Sequence, residues 1–531
     1  MQKASQEALA CSSVHNSHLL PSKSQDTELS FQAYAEPFYT LESTPVTGYA
    51  IFSSPTAVSV SSNKSPLSPQ LSHSYASDIH HSSDNSSSLN GSFEANDESN
   101  LYHSLWLLRN ELLGPECGSD YNGSLTDESV QPCYSTRYHR ILEMTPDMDL
   151  KHLLIACAEV VSEADIVPFS ERKIAASVAE TLMDIIQKRV SVSGDPLQRL
   201  GAYMLEALRA RLLSSGSLIC KKLKCNEPSG PDLMSHMQLI AQICPFYRFA
   251  YTAASAVIGE AMENEKRIHI IDFQIAQGSQ WLSFIQDVSR RPDGPPYVRI
   301  TGVDDSESAY ARGGGLELVG QRLAQLAESC GVPFEFHGAG TSGSDVQLEN
   351  LKVQHGEALA VNFPYVLHHI PDESVSTSNH RDRLLRLVKS LSPKVMTLVE
   401  QESNTNTATF SKRFCETLDY YAAMFECIDA AGLARDEMQR INAEEHCVAK
   451  DVVSIIACEG NERMERHEVF GKWRSRLRMA GFSQIGLSPS VTSGVRNMLR
   501  EYSPNYVLAE ANGAVCIGWK NRALVSFSAW R

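Results

Sequence analysis

Long apolar runs, paired cysteines and strong basic clusters are all scarce in this 531-residue chain, and each scarcity removes a class of function. No apolar stretch approaches the roughly 18–20 residues that a membrane-spanning helix needs. The opening MQKASQEALACSSVHNS has no apolar core of a secretory leader. Thirteen cysteines are scattered with no Cys-x-x-Cys pair, and the nearest two, Cys220 and Cys225, have no second pair downstream, so no cysteine zinc site is expected. An odd number of dispersed thiols reads as reduced and intracellular. With 47 basic against 63 acidic side chains, a net charge of −16 speaks against gripping phosphate backbones through bulk positive charge. Gly-x-Ser-x-Gly, Walker-type loops and His-Glu-x-x-His are absent as well, which removes the signatures of the common hydrolases, nucleotidases and metalloproteases.

What is present is uneven along the chain. Residues 1–100 hold 25 Ser and only three basic residues, Lys3, Lys23 and Lys64, against ten acids. Such a composition cannot bury enough apolar surface to offset the entropy of ordering, so this Ser-rich stretch is expected to be disordered. Ser65-Pro66 and Ser68-Pro69 read equally as phosphorylation sites or as plain low-complexity sequence. Residues 101–147 read as a linker with one short amphipathic helix over 101–114. There Leu101, Leu105, Leu108 and Leu112 share a face, suited either to docking a partner or to folding back.

The folded part is expected from about 148 to 531. Up to about residue 263 the patterns are helical: Leu154, Cys157, Ala158 and Val161 form one face, Ile174, Val178, Leu182 and Ile185 a second, and Leu197, Leu200, Met204, Leu208 and Leu212 a third. These rows are too short for a coiled coil and predict a compact helical cap. From Lys266 the texture becomes strand–helix alternation, with strands expected at 267–273, 298–304, 333–339, 358–363 and 394–400. That rhythm predicts an α/β fold, a Rossmann-type, methyltransferase-like and mostly parallel sheet. Turn signals at Asn512-Gly513 and Lys520-Asn521 predict a closing antiparallel meander.

Ligands in such sheets sit at the carboxyl ends of strands, here marked by Asp272, Asp304, Asn362 and the Glu400-Gln401-Glu402 run. These ends suit a nucleotide or S-adenosylmethionine pocket, or they are simply where strands meet water. The loop Asp272-Phe273-Gln274-Ile275-Ala276-Gln277-Gly278 carries one glycine where a cofactor fingerprint wants two or three, so it is poorly built for a cofactor. His368, in Val366-Leu367-His368-His369, is either a general base or a histidine satisfied within packing. Gly313-Gly314-Gly315 follows the second strand and reads as a lead-in to a helix. The basic stretches are Lys221-Lys222-Leu223-Lys224 and Lys472-Trp473-Arg474-Ser475-Arg476-Leu477-Arg478, the latter expected to present a solvated face.

Together these residues resemble the plant GRAS family over roughly 148–531. The family's VHIID motif appears as Ile268-His269-Ile270-Ile271-Asp272, with Ile for the first Val. The first leucine-rich block corresponds to about 153–213, the VHIID region to 232–297, and the second leucine-rich block to 313–345. The PFYRE region corresponds to 354–448, with its letters spread from Pro364 through Phe414, Tyr420 and Tyr421 to Arg466-His467-Glu468. The SAW region, 451–531, carries Trp473 and Gly481, then Trp519, and closes on Ser528-Ala529-Trp530-Arg531. The wording IDFQIAQGSQW and RITGVDDSESAYARGGGL resembles the scarecrow-like branch of phytochrome-A signalling and chitin or gibberellin response. No Asp-Glu-Leu-Leu-Ala motif is present, which sets the DELLA subgroup aside.

The resemblance implies a non-enzymatic transcriptional regulator in plant light, hormone or defence signalling, without a cofactor. It implies homo- or heterodimers with other GRAS proteins, DNA-binding transcription factors as partners with direct DNA contact left open, and a nuclear location with a cytoplasmic pool. His269 and Asp272 are then expected to be structural, and the late tryptophans to anchor strands rather than form a partner hot spot. Leu150-Lys151-His152-Leu153-Leu154 is expected to serve packing rather than a coactivator contact. The rival readings are an S-adenosylmethionine-dependent methyltransferase using Asp272, Asp304, Asn362 and His368, and a small-molecule sensor that keeps the pocket without catalysis.

Overall fold

The computed structural model describes residues 133–167, 169–213, 230–305 and 315–531. The Ser-rich segment, the stretch 101–114 where a helix is expected, Lys221 to Lys224 and Gly313-Gly314 lie outside these residues.

The five expected parallel strands form where branched apolar residues cluster: β1 (Arg267–Asp272), β2 (Tyr297–Asp304), β3 (Phe334–Gly340), β4 (Ala358–Pro364) and β5 (Val395–Gln401). After a two-residue strand β6 (Gln484–Ile485) come β7 (Tyr506–Ala511), β8 (Ala514–Trp519) and β9 (Arg522–Trp530). Their order is β3-β2-β1-β4-β5-β9-β8-β7, with β6 also on β9. The first five strands pair in parallel and the rest antiparallel. The meander turns where expected, with Asn512 at φ +54° and Gly513 at φ +76°. It joins the sheet through its last strand: β9 lies against β5 with Met396 opposite Trp530.

Both faces of the sheet are covered, and the period of two sorts side chains between them. Ile268, Ile270, Ala360, Val395 and Val399 face the larger core, shared with the helical cap. Ile271, Leu359, Val361, Met396 and Leu398 face a second core, shared with the helices His380–Ser390 and Phe470–Met479.

The cap is built by Leu150–Ile166, Phe169–Gln187, Pro196–Leu212 and Gly230–Ile243, joined by the later helices Phe410–Asp429 and Lys450–Ala457. Local capping fixes several starts. The Asp149 carboxylate accepts from His152 N at 2.8 Å, and Asp195 and Gln198 form a capping box before Pro196. Arg199, fully buried, ties the cap together by donating to Glu444 at 3.1 Å, to Asp429 at 2.8 Å and to the Phe425 carbonyl at 3.2 Å.

Two expectations need correction. In Phe169–Gln187 the buried face is Ala175, Val178, Ala179, Leu182, Met183 and Ile186, while Ile174 is 48% exposed. The stripe is rotated because small alanines, not the large Ile174, meet the neighbouring helix. The 101–147 linker also ends in structure: Cys133–Met144 is a helix, with Tyr138 and Ile141 buried and Tyr138 Oη donating to Glu163 at 3.0 Å. Its sequence, CYSTRYHRILEM, has only a few apolar positions, so period alone did not reveal it. Removing residues 1–132 is therefore expected to leave a cooperative domain. Removing 1–144 strips two buried side chains worth about 1.5–3 kcal/mol each and should lower the midpoint of thermal unfolding. Equal midpoints for the two truncations would show that this helix contributes nothing.

Candidate functional site: the crevice at the switch point

Strand order reverses between β1 and β4, and a ligand of this fold would lie beyond their carboxyl ends. Asp272 ends β1 in register with Gly302 of β2 and Asn362 of β4. The two expected site residues Asp272 and Asn362 do meet, but they bond to the protein. Asp272 is buried; its Oδ2 accepts from Trp281 Nε1 at 2.7 Å and from Asn362 Nδ2 at 3.4 Å, and its Oδ1 accepts from Gln274 N at 3.0 Å. Asn362 donates also to Gln280 Oε1 at 3.1 Å, and its own oxygen accepts from Thr397 Oγ1 at 2.7 Å. Burial outweighs these donors and pushes the Asp272 carboxyl up to about 6.

The loop after β1 occupies the rest of the crevice. Phe273 stacks on Phe363 with ring centroids 4.4 Å apart. Ile275 is buried directly over Gly302, where an added Cβ would come within 2.8 Å of its Cγ2. Gly278, at φ +72°, opens the helix Ser279–Ser289, and a Cβ there would stand 3.0 Å from Val319 and 3.1 Å from Leu323. In a cofactor site this approach belongs to the ligand; here it belongs to side chains of the helix after β2. The residues present do not fit an adenosyl cofactor. Asp304 ends β2 two positions past Gly302, buried.

His269 points to the opposite face of β1 from Ile268 and Ile270. It is buried and hydrogen-bonded to Thr301 Oγ1 at 2.8 Å, while Nδ1 faces Arg299 at 3.5 Å and Glu357 at 3.2 Å. Burial, and then the Arg299 guanidinium, push it down to about 3, so the ring is neutral at physiological pH.

The GRAS domain family profile matches residues 150–531. The chain belongs to this family. It is 52% identical over 499 residues to Scarecrow-like protein 13 of Arabidopsis thaliana, covering 93% of this chain and 92% of that protein. It is 50% identical to Chitin-inducible gibberellin-responsive protein 2 of Oryza sativa subsp. japonica, covering 97% and 92%. To the Scarecrow-like transcription factor PAT1 of Arabidopsis thaliana it is 51% identical, covering 83% and 88%. Among solved structures, SCL7 of Oryza sativa superposes with a TM-score of 0.62 at 30% identity, covering 72% of this chain and all of that one. These relatives place the chain among transcriptional regulators of plant signalling.

In GRAS terms, the VHIID motif is thus the strand that supplies both the neutral His269 and the closed Asp272 network. The SAW tryptophans are structural in placement. Trp473 and Trp530 are fully buried, with Trp530 Nε1 donating to Ser528 Oγ at 2.9 Å and the Arg381 guanidinium 4.9 Å from the Trp473 ring. Trp519, also buried, donates to Glu426 at 2.8 Å. Ala529 is buried on β9, and Gly481 turns the chain at φ +93°.

The stretch Lys472 to Arg478 is a solvated basic face only in part: Arg478 is exposed and Lys472 and Arg474 half-buried, but Arg476 turns inward. Arg476 is buried and donates to Glu468 at 2.6 Å, to Asp372 at 3.0 Å, to Glu373 at 3.0 Å and to Asp382 at 3.1 Å. Its acidic partners are internal: Glu468 eight residues before it, and Asp372, Glu373 and Asp382 about a hundred residues before it. His368 makes no hydrogen bond to the Asp272–Asn362 network among the described residues. It sits in the turn Leu367–His369, with Nδ1 2.5 Å from Glu400 Oε2. Burial alone would lower its pKa; Glu400 and Glu465 reverse that and raise it to about 9. Sequence reasoning flagged His368 and the Glu400 run but not Thr397, which reads as an ordinary strand residue.

Two measurements follow from this geometry. Gly302→Ala should cost about 1–3 kcal/mol by overpacking against Ile275, and in the Ile275→Ala background that cost should largely vanish. Additive costs in denaturant titrations would show that the two do not touch. For His269 the folded pKa is depressed. Below pH 6.5 the unfolded chain takes a proton that the fold refuses, and stability falls by about 1.4 kcal/mol per pH unit. Between pH 6.5 and 5, the wild-type chain should therefore lose more stability than His269→Gln, by about 2 kcal/mol. Parallel pH profiles would place the ring in solvent.

Proposed function

We propose that this chain is a transcriptional regulator acting in the nucleus of plant cells through protein–protein contacts, and that it carries out no catalysis. The observation that supports this most is the self-satisfied crevice, where Asp272, Asn362, Trp281 and Thr397 bond one another and Ile275 covers Gly302. A sheet whose ligand position is filled by its own side chains serves as a rigid scaffold, leaving recognition to helices and edges. Membership among regulators with the names given above supports the same reading, and so does the net charge of −16, which favours reaching promoters through a DNA-binding partner. Other GRAS chains, in homo- or heterodimers, and DNA-binding transcription factors are the partners this reading requires. No helix among the described residues is long and apolar enough to cross a membrane.

Two measurements test the proposal. Tethered through a heterologous DNA-binding domain to a reporter promoter in plant protoplasts, the full chain should change transcription severalfold; an unchanged reporter would sink the regulatory reading. Calorimetric titration of the purified chain with S-adenosylmethionine should give no heat. Micromolar binding would show that the crevice opens, and would return the chain to the methyltransferases or to the ligand sensors.

A further inference from the structure

In the turn after β4 lies a second cluster of buried titratable groups. His368 comes from the turn after β4, and Glu465 and His467 from the extended segment before the helix Phe470–Met479. All three are buried to within 1% of complete. One donor atom from each lies within 4.8 Å of the other two. Glu465 Oε2 stands 3.3 Å from His368 Nε2 and 3.5 Å from His467 Nε2. Neither oxygen of Glu465 makes a hydrogen bond, and neither does His368 Nε2 or His467 Nε2. The contacts of Glu465 are ion pairs with His368, His369 and His467 at 3.3, 3.3 and 3.5 Å rather than well-directed hydrogen bonds, a costly way to bury a carboxylate.

A proton on His368 relieves part of this, but it can bridge only one pair of atoms at a time. One nitrogen from each of two imidazoles and one carboxylate oxygen stand within 4.8 Å of one another, with the His368 and His467 rings stacked 4.4 Å apart, and an ion bound among them would displace the His368 proton. We propose that the space among them binds a divalent transition ion of the zinc class, held by His368 Nε2, Glu465 and His467 Nε2. Imidazole with a carboxylate is a donor set that suits zinc. Two ligands at bond lengths near 2.0–2.1 Å stand about 3.4 Å apart on a tetrahedron, and the 3.3 and 3.5 Å separations match it.

The surroundings strengthen the assignment, because each histidine is oriented from behind. The Nδ1 of His368 meets Glu400 Oε2 at 2.5 Å, and Glu400 Oε1 is itself held by Leu367 N at 2.8 Å. This is the carboxylate–histidine arrangement that directs the opposite nitrogen toward a metal and raises its basicity. His467 Nδ1 lies 3.3 Å from Thr405 Oγ1, which also accepts from His467 N at 3.1 Å. Glu400 and Glu465 both face His368, with the buried Arg381 guanidinium donating to the His368 carbonyl, and a dication would take the place of the proton the two carboxylates hold on that ring. A fourth position is left for water or for His369, whose two ring nitrogens have no hydrogen-bond partner and whose Nδ1 is 3.3 Å from Glu465 Oε1. Full burial makes the site structural: the ion would clamp the end of β4 to a segment almost a hundred residues further on.

The test uses the full chain purified without a histidine tag. Elemental analysis after exhaustive dialysis should find about one zinc per chain, and Glu465→Gln and His467→Ala should each reduce it at least tenfold. A chelator should lower the thermal midpoint of the wild type, and Zn2+ but not Mg2+ should restore it. Because a variant of so buried a group can fail to fold, Co2+ is also added to the chelated wild type. The visible bands of a low-symmetry N/O site are expected on the folded chain. Absence of zinc in the wild type together with no response to Zn2+ or Co2+ would overturn the proposal. Undiminished zinc in folded Glu465→Gln would overturn it equally, by placing the ion elsewhere.

Discussion

A buried carboxylate, held by hydrogen bonds rather than by a cation among the described residues, governs the crevice of this molecule. Asp272 closes β1 at the point where the sheet reverses its order, and its charge must be carried by hydrogen bonds alone. The indole of Trp281 and the amide of Asn362 are committed to it, and Thr397 and Gln280 are committed to Asn362 in turn. Each bond fixes one element: the helix after β1, strand β4 and strand β5. Loosening the carboxylate to receive a ligand would strand its three donors, Gln274 N, Trp281 Nε1 and Asn362 Nδ2, at once. The VHIID strand is the keystone of this hydrogen-bond network.

Other buried charges do the same work between segments far apart in sequence. Arg199 fastens the first helices to those near residue 440, and Arg476 gathers four carboxylates from three segments. Removing one partner of such a group leaves an uncompensated charge, so the cost of disruption exceeds what the pair contributes to stability. The arrangement gives the cap and the two helical layers one definite register.

Most of the strands, though not their order, were legible from residues. Branched apolar runs ending in Asp272, Asp304 and Asn362 marked the parallel strands, and Asn512-Gly513 marked the hairpin, because both signals are local and carried by backbone preference. The crowded loop after β1 was also readable, since Phe273 and Ile275 are too bulky for a cofactor's approach. What period and spacing missed is what only tertiary contact decides. Ile174 faces outward because alanines pack more closely, and Arg476 is buried because Asp372, Glu373, Asp382 and Glu468 converge on it. The Glu465 and His467 donors stand nearly a hundred residues from His368, beyond any linear spacing rule.

The place of β9 has a consequence for how the chain is made. β5 and β8 both precede it, yet β9 lies between them. Roughly 120 residues separate the end of β5 from the start of β9, which a ribosome adds in about 6–24 s at ordinary rates. Throughout that interval the hydrogen-bonding edge of β5 is open in mid-sheet, the kind of edge on which chains aggregate. The nascent protein thus passes through a stage in which five strands exist and their proper neighbour does not, so its yield in the cell depends on what shields that edge until synthesis catches up.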